Sequence, residues 1–296
     1  MPKVTQKSFR NNNSSSGHKK TAKTAINEGE SSKANRLEFK GCAMFRIRLV
    51  LATLTGKTIH ISNIRSSELN PGLTEYEASF LRLLEKVTNG SKISISYTGT
   101  ALTYVPGQII GGSWTHDCAP SKTIGYYLEP LIIMAPFAKE AFRITLNGIT
   151  HSCNLEAEES VDYGLEGLST ILVPIMEKFG IDSKAAELVI KERCYARPKQ
   201  PSKDNNNNNN DDVESQNING KVFFTCPIIQ DQLKPVNLTD LGRIQKIRGI
   251  AHSMNLSSSQ VNRMIDGMRS VLNRFIPDIF ITSDCKGRSG TGSQGN

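Results

Sequence analysis

The sequence lacks the signals that mark membrane-spanning, secreted and zinc-binding proteins. No apolar run reaches the ~18 residues that a transmembrane helix needs, and no signal-peptide pattern stands at the start. The cysteines form no CxxC pair and the histidines do not cluster, which argues against a disulfide framework and against a bound metal. We therefore expect a protein of a reducing compartment, with no membrane partner, no metal and no other cofactor. The six cysteines stand alone, at Cys42, Cys118, Cys153, Cys194, Cys226 and Cys285.

Aromatic residues are also scarce, at 6% of the 296 residues. Proteins that bind single-stranded nucleic acid stack successive bases on aromatic side chains interleaved with basic ones. A chain with so few aromatic residues is expected to contact protein, or the phosphate backbone of a nucleic acid, rather than to read bases.

Positive charge is in excess and is spread unevenly. The formal net charge is +8, and residues 1–40 hold nine Lys or Arg against three Glu. Residues 1–36 have little to bury and predict a disordered basic tail, which would be a solubilising segment, a nuclear address or a loose contact with nucleic acid. The Asn-rich stretch 200–220 predicts a disordered insertion, and the glycine-rich end 285–296 predicts a second disordered tail.

The hydrophobic pattern from residue 37 onward predicts one α/β unit of strand, helix, strand, helix and hairpin. Apolar residues recur every three to four positions in the helices and alternate in the strands. The predicted elements are a strand at Leu37–Phe39; a helix ended by Gly56, with Met44, Ile47, Leu51 and Leu54 on its inner face; a strand at Thr58–Ile64; a helix begun by the capping box Thr74–Glu77, with Phe80, Leu81, Leu84 and Val87 inward; and a hairpin around Thr98–Thr100.

The same order of elements is predicted a second time. The segments are a strand at Ile109–Ile110, a helix at Thr123–Met134, a strand at Phe142–Leu146, a helix at Ser160–Phe179, and hairpin strands at Glu187–Glu192 and Lys221–Thr225. Two tandem βαβαββ units over 37–199 and 221–230 predict an α/β protein with helices packed against its sheets. Chance similarity of two α/β stretches is the alternative, and the matching order of five elements disfavours it.

Residues 231–284 predict one β–α–β piece, a small second domain that is incomplete at its C-terminal end. Its helix is stopped by Pro277 and is followed by a strand reading DIFITSD. The inner face of this helix is predicted to consist of Val261, Met264, Ile265, Met268, Val271 and Leu272.

The stretch GGSWTHDCAP, residues 111–120, places His116, Asp117 and Cys118 side by side. A nucleophilic thiolate needs a base or a cation beside it, which Cys118 next to His116 suggests. In known Cys/His sites, however, the partners come from distant parts of the chain. We favour a turn after a strand, with Cys118 buried at the start of a helix. His116 and Asp117 stay candidates for an acid–base pair, or for phosphate contact beside a helix N-terminus near Ser121.

Several stretches, in order over most of 37–284, resemble the RNA 3′-terminal phosphate cyclase-like proteins. These are eukaryotic relatives of the ATP-dependent RNA 3′-phosphate cyclases. The resemblance implies three repeated α/β units with a small α/β domain inserted before the third, of which this chain holds two repeats and part of the insert. The stretches are FKGCAMFRIRLVLATLTGK, IRSSELNPGLTEYEASFLRLLE, HDCAPSKTIGYYLEPLIIMAPF, IRGIAHS and NRMIDGMRSVLNRFIPDIFI.

The resemblance also implies that the chain binds no nucleotide cofactor and is not a cyclase. Cyclases carry a first-helix motif like EGGGQILR, whereas residues 39–46 read FKGCAMFR and retain only Gly41 and Arg46. Glycines in such a turn let backbone N–H groups approach a phosphate closely. In an RGxxPxGGG loop of the family, Arg193 and Pro198 match here, and the glycine triplet is reduced to Gly220. The chain shows no counterpart of the nucleophilic histidine that cyclases carry near their C-terminus.

For function, the resemblance implies a non-enzymatic assembly factor of the small ribosomal subunit. Such a factor acts in early pre-rRNA (18S) processing within the small-subunit processome, in the nucleolus of the nucleus. The implied partners are pre-ribosomal particles with snoRNPs, a large ribosome-biogenesis GTPase and the pre-rRNA. One alternative is an enzyme acting on RNA, either a pre-rRNA endonuclease or a residual cyclase. Another is a truncated paralogue that has lost its role.

Basic side chains are the candidates for contact with RNA or phosphate. Two lie on the polar side of the first predicted helix, and three alternate along a strand-like stretch near residue 246. Ordinary solvated charge accounts for any one of them taken alone. The candidates are Arg46, Arg48, His116, Arg193, Arg243, Lys246 and Arg248.

Overall fold

The computed structural model describes residues 36–151, 164–182, 185–195, 220–230, 232–240, 242–254 and 256–286. The predicted basic tail, the Asn-rich insertion and the glycine-rich tail lie outside the described residues, apart from one or two residues at their edges. In the described part of the chain no helix is long and apolar enough to cross a bilayer.

The first repeat forms a four-stranded sheet in the order β1-β2-β5-β4. β1 and β2 run parallel, and β5 runs antiparallel to both β2 and β4. Parallel neighbours need a crossover connection, and a helix supplies it here. The elements are β1 (Leu37–Lys40), α1 (Phe45–Thr55), β2 (Ile59–Ser62), α2 (Glu75–Val87), β3 (Thr88–Asn89), β4 (Lys92–Ile95) and β5 (Leu102–Val105).

The second repeat has the same topology, with strand order β7-β8-β10-β9. β7 and β8 are parallel, and β10 is antiparallel to both of its neighbours. The predicted tandem α/β repeat is therefore confirmed. The elements are β6 (Gln108–Ile109), β7 (Gly112–Asp117), α3 (Ile124–Met134), β8 (Phe142–Asn147), α4 (Leu165–Gly167), α5 (Val173–Lys178), β9 (Glu187–Glu192) and β10 (Lys221–Cys226).

Two predicted elements of the second repeat differ in the structure. The first strand of the repeat is β7, not Ile109–Ile110, because β6 instead pairs with β3 in a two-residue ladder between the repeats. The described part of the predicted helix Ser160–Phe179 is also interrupted. A π-helical turn, Leu168–Leu172, separates α4 from α5, and Pro174 near the start of α5 has no N–H to continue a regular ladder.

The inner face predicted for α1 is wrong at two of its four positions, whereas that of α2 is confirmed. Met44 caps α1 with a φ of 54° and is exposed, and Leu51 is also exposed, while Leu54 packs against the core. The fully buried residues include Phe45 and Leu49, so the buried face is rotated from the predicted one. In α2 the four predicted inward residues are all buried, and the predicted capping box is present.

The C-terminal unit consists of two parallel strands and a helix: β11 (Ile247–Met254), α6 (Ser258–Leu272) and β12 (Ile279–Lys286). Only Val261 and Ile265 of α6 are buried, so the wider predicted inner face is wrong. Met264, Met268 and Val271 are exposed. Neighbouring strands lie about 4.8 Å apart, so a two-stranded sheet is too narrow to cover a broad apolar helix face.

Candidate functional site

His116 and Asp117 lie next to each other in β7 and point to opposite faces of the sheet. His116 is only 4% exposed, and its Nε2 is 3.0 Å from Ser79 Oγ on α2. Asp117 is exposed and accepts a hydrogen bond of 2.7 Å from Asn147 Nδ2 on β8. The structure therefore does not bring these two side chains together as an acid–base pair.

The predicted turn at His116 and Asp117 is wrong, since both belong to a strand paired with β8. The burial of Cys118 agrees with the structure, where its side chain is 8% exposed directly after β7. Burial, followed by the negative charge of Asp117, raises the pKa of the Cys118 thiol far above its usual range. A thiol held protonated in this way is a poor nucleophile.

Burial also dominates the titration of His116. Burial and the nearby cations Lys86 and Arg82 on α2 together lower the pKa of the imidazole to about 4, with Asp117 partly opposing them. His116 is therefore neutral at physiological pH. A neutral, enclosed imidazole is not available to bind a phosphate.

Arg46 and Arg48 contact other parts of the protein at the start of α1. Arg46 Nη1 donates to the Tyr126 carbonyl oxygen at 2.7 Å and forms an ion pair of 3.0 Å with Glu129 on α3. Arg48 Nη1 donates to the Gly41 carbonyl oxygen at 2.9 Å, and its guanidinium lies over the Phe39 ring. Arg46 thus joins α1 to α3, and Arg48 joins α1 to β1 and the turn that follows it.

Arg193 lies at the junction between the second repeat and the C-terminal unit. Its Nε donates to Asp284 Oδ2 on β12 at 2.7 Å, and its Nη1 donates to Glu166 on α4. His151, which follows β8, contributes its Nε2 at 2.8 Å from Glu166 Oε2. His252 on β11 completes the group, with its ring centroid 4.5 Å from that of His151. We call His151, Glu166, Arg193, His252 and Asp284 the junction cluster.

Arg193 partly offsets the negative charge of the junction cluster, because it pairs with both Glu166 and Asp284. Burial alone would raise the pKa of the Glu166 carboxyl, but hydrogen bonds from His151 and Arg193 outweigh burial and hold that pKa at about 2. Burial lowers the pKa of His252, and the neighbouring His151 lowers it further. Only Arg193 of this cluster was singled out from the sequence. The other members are spread over more than a hundred residues and follow no spacing motif.

The last three candidates lie in or before β11. Arg248 forms an ion pair of 2.8 Å with Asp278, and both side chains are about half exposed. Arg243 and Lys246 are exposed in the segment that precedes the strand, and Arg248 lies within it. The prediction that all three alternate along one strand is therefore wrong. Their contact with RNA or phosphate stays a prediction.

The similarity of the chain to known proteins agrees with this architecture. A model of the family RNA 3′-terminal phosphate cyclase matches residues 37–199, and a model of the insert domain of the same family matches residues 239–296. The first match covers both repeats up to the end of β9. The second covers the C-terminal unit.

Curated relatives align with 83–86% of the chain. An RNA 3′-terminal phosphate cyclase-like protein of Bos taurus is 43% identical over 253 residues, covering 86% of this chain and 61% of that protein. The rRNA processing protein rcl1 of Schizosaccharomyces pombe is 42% identical over 248 residues, covering 84% and 61%. The rRNA processing protein RCL1 of Saccharomyces cerevisiae is 42% identical over 250 residues, covering 83% and 59%. The chain thus spans 59–61% of the length of these relatives.

These matches confirm the resemblance noted from the sequence. They agree with the two repeats of identical strand order and with the separate β–α–β unit that follows them. The chain belongs to the RNA 3′-terminal phosphate cyclase family.

Proposed function

We propose that the protein is an rRNA processing factor that acts in assembly of the small ribosomal subunit and has no cyclase activity. The observation that carries this proposal is the 42% identity, over 83–84% of the chain, to two proteins named rRNA processing proteins. Within this proposal the protein acts on early 18S precursors in the nucleolus. Its partners are the small-subunit processome with its snoRNPs, a ribosome-biogenesis GTPase and the pre-rRNA.

The turn after β1 supports the absence of cyclase chemistry. A phosphate-binding turn presents free backbone N–H groups and unengaged cations. Here Arg48 donates to the carbonyl oxygen of Gly41, and Arg46 donates to the carbonyl oxygen of Tyr126 and pairs with Glu129. Both arginines are thus committed to contacts within the protein. A nucleotide would have to break these contacts before it could use either guanidinium.

The strand β7 supports the absence of RNA cleavage by the HDC stretch. A general base has to come within about 2.6–3.2 Å of the proton that it removes. The enclosed position of His116 prevents that approach, and Asp117 lies on the other face of the sheet. Chemistry on RNA would therefore need groups other than these two.

The aromatic side chains divide into an enclosed cluster and single exposed rings at Tyr97, Phe137, Phe275 and Phe280. This distribution favours binding through protein or phosphate contacts over stacking of successive bases. Phe80, Tyr126 and Tyr127 are buried between α2 and α3, where their rings meet edge to face. A buried ring cannot stack on a base. The exposed cations Arg243 and Lys246 are the positions where we expect contact with RNA phosphates.

In cells, the chain is expected to associate with pre-ribosomal particles. We would express a tagged form in S. cerevisiae, recover it after gradient sedimentation, and probe the RNA that co-purifies for 18S precursors. Replacing both Arg243 and Lys246 by alanine should weaken recovery of the precursors, whereas Lys57→Ala, at an exposed cation of the first repeat, is the matched control. Sedimentation of the folded chain free of particles would contradict the proposal.

In vitro, the purified protein is expected to show no cyclase reaction. Incubation with ATP and an RNA bearing a 3′-phosphate should yield neither adenylylated protein nor a 2′,3′-cyclic end. An active RNA 3′-phosphate cyclase, run in parallel on the same RNA, verifies that the substrate is competent. Either product, formed by this protein, would contradict the non-cyclase part of the proposal.

A further inference from the structure

The junction cluster brings three potential metal ligands together from separate parts of the chain. One ligand atom from each of His151, Glu166 and His252 lies within 4.8 Å of the other two. His151 and Glu166 belong to the second repeat, whereas His252 lies on β11 of the C-terminal unit. The scattered histidines argued against a metal site in the sequence, and the fold brings two of them together.

The Thr150 hydroxyl fixes the orientation of the His151 ring. Thr150 Oγ1 lies 2.8 Å from His151 Nδ1 and also 2.8 Å from the Cys194 carbonyl oxygen. With Nδ1 held at Thr150, the other ring nitrogen, Nε2, is directed toward Glu166.

His151 Nε2 lies 2.8 Å from Glu166 Oε2, so an imidazole nitrogen and a carboxylate oxygen converge on one point. An imidazole whose other nitrogen is held by a hydrogen bond is the arrangement typical of metal-bound histidine.

We propose that His151, Glu166 and His252 form a binding site for a divalent transition-metal ion of the zinc class. Two imidazole nitrogens and one carboxylate oxygen are donors that suit such an ion. Asp284, which is 48% exposed on β12, is placed beside Arg193 at the edge of the site. The bound ion would tie the C-terminal unit to the second repeat, because His252 comes from one and the other two ligands from the other.

Arg193 competes with the ion for this site. Its Nη1 donates to Glu166 and lies 3.4 Å from His151 Nε2, so the guanidinium provides the nearest positive charge. Metal binding would require Nη1 to leave Glu166, while Nε could keep its 2.7 Å hydrogen bond to Asp284. Because Arg193 and the ion compete for Glu166, removing the charge of Arg193 should tighten metal binding. The same change removes two ion pairs from the metal-free protein.

The test is an isothermal calorimetric titration of the intact, metal-free chain with ZnCl₂ at pH 7.5. We expect one equivalent to bind. The His252→Ala variant should bind at least about tenfold more weakly, and Arg193→Gln about tenfold more tightly. His60→Ala is the matched control, because His60 also contacts a threonine hydroxyl, that of Thr103, but lies in the first repeat. Its affinity should equal that of the unmodified protein.

Two further results distinguish this site from other metal binders on the chain. Co²⁺ bound in place of zinc should give no thiolate-to-metal absorption band, because the proposed ligands include no cysteine. Zinc should also slow hydrogen exchange in β11 in the unmodified protein and not in His252→Ala. No saturable binding, equal affinity of His252→Ala, or a thiolate band would each overturn the proposal.

Discussion

Replacing Arg65 by alanine is expected to lower the free energy of unfolding by about 3–5 kcal/mol. Arg65 donates through both terminal nitrogens to the two oxygens of Glu77, each at 2.7 Å, and also to the carbonyl oxygen of Gly72. Glu77 is 2% exposed. Without Arg65, the buried carboxylate of Glu77 would lose its cation and keep the uncharged Thr74 N–H, 3.0 Å away, as a hydrogen-bond donor.

Chemical denaturation of the unmodified protein and of Arg65→Ala at pH 7 measures this loss. The matched control is Arg248→Ala, which breaks a similar bidentate ion pair with Asp278 on the surface. Exposed pairs contribute little because solvent screens them, so the control should unfold at the same denaturant concentration as the unmodified protein. An equal loss of unfolding free energy in the two variants would show that burial does not increase the stabilisation provided by the Arg65–Glu77 pair.

The repeats could be predicted from the sequence because they depend on local patterns. Alternation in the strands, apolar spacing in α2 and the capping box at Thr74 all report on the chain within about one helical turn. The Asn-rich stretch between β9 and β10 did not hide their pairing, since each strand carries a run of three apolar residues, Leu188–Ile190 in β9 and Val222–Phe224 in β10. The predictions were wrong where the structure of an element depends on residues that are distant in the sequence. β6 pairs with β3, and α6 has too narrow a sheet to cover its apolar face.

The contacts at the candidate site depend on such distant partners almost entirely. The sequence places His116 beside Asp117 and Cys118, yet strand geometry separates the first two and the sheet buries the third. Conversely, His151 and His252 are a hundred residues apart in the sequence and meet only because β11 lies beside the second repeat. A search for sequence motifs therefore favours residues that are adjacent in the sequence, whereas the residues that contact each other are determined by the arrangement of the strands and helices.

His116 is expected to make the protein sensitive to mild acid. Its folded-state pKa of about 4 lies below the ordinary value of 6.5, because the protein buries the ring between Ser79 and Tyr127 and the cations Lys86 and Arg82 are near. The unfolded chain thus binds a proton at this residue between pH 6.5 and pH 4 that the folded chain does not. Stability that is fully present above pH 6.5 falls as the pH drops through this window, by about 2 kcal/mol at pH 4.5.

The His116→Gln variant should lose that contribution, because glutamine can still hydrogen-bond Ser79 but does not titrate. Free energies of unfolding, measured by denaturant at pH 7 and at pH 4.5, should therefore fall less between the two pH values for the variant than for the unmodified protein. His60→Gln is the control, since His60 is only half-buried and its Nδ1 also contacts a threonine hydroxyl. The control should keep the pH dependence of the unmodified protein. If His116→Gln keeps it as well, the imidazole accepts a proton in the folded state, and its enclosure by α2 and β7 is looser than the contacts with Ser79 and Tyr127 require.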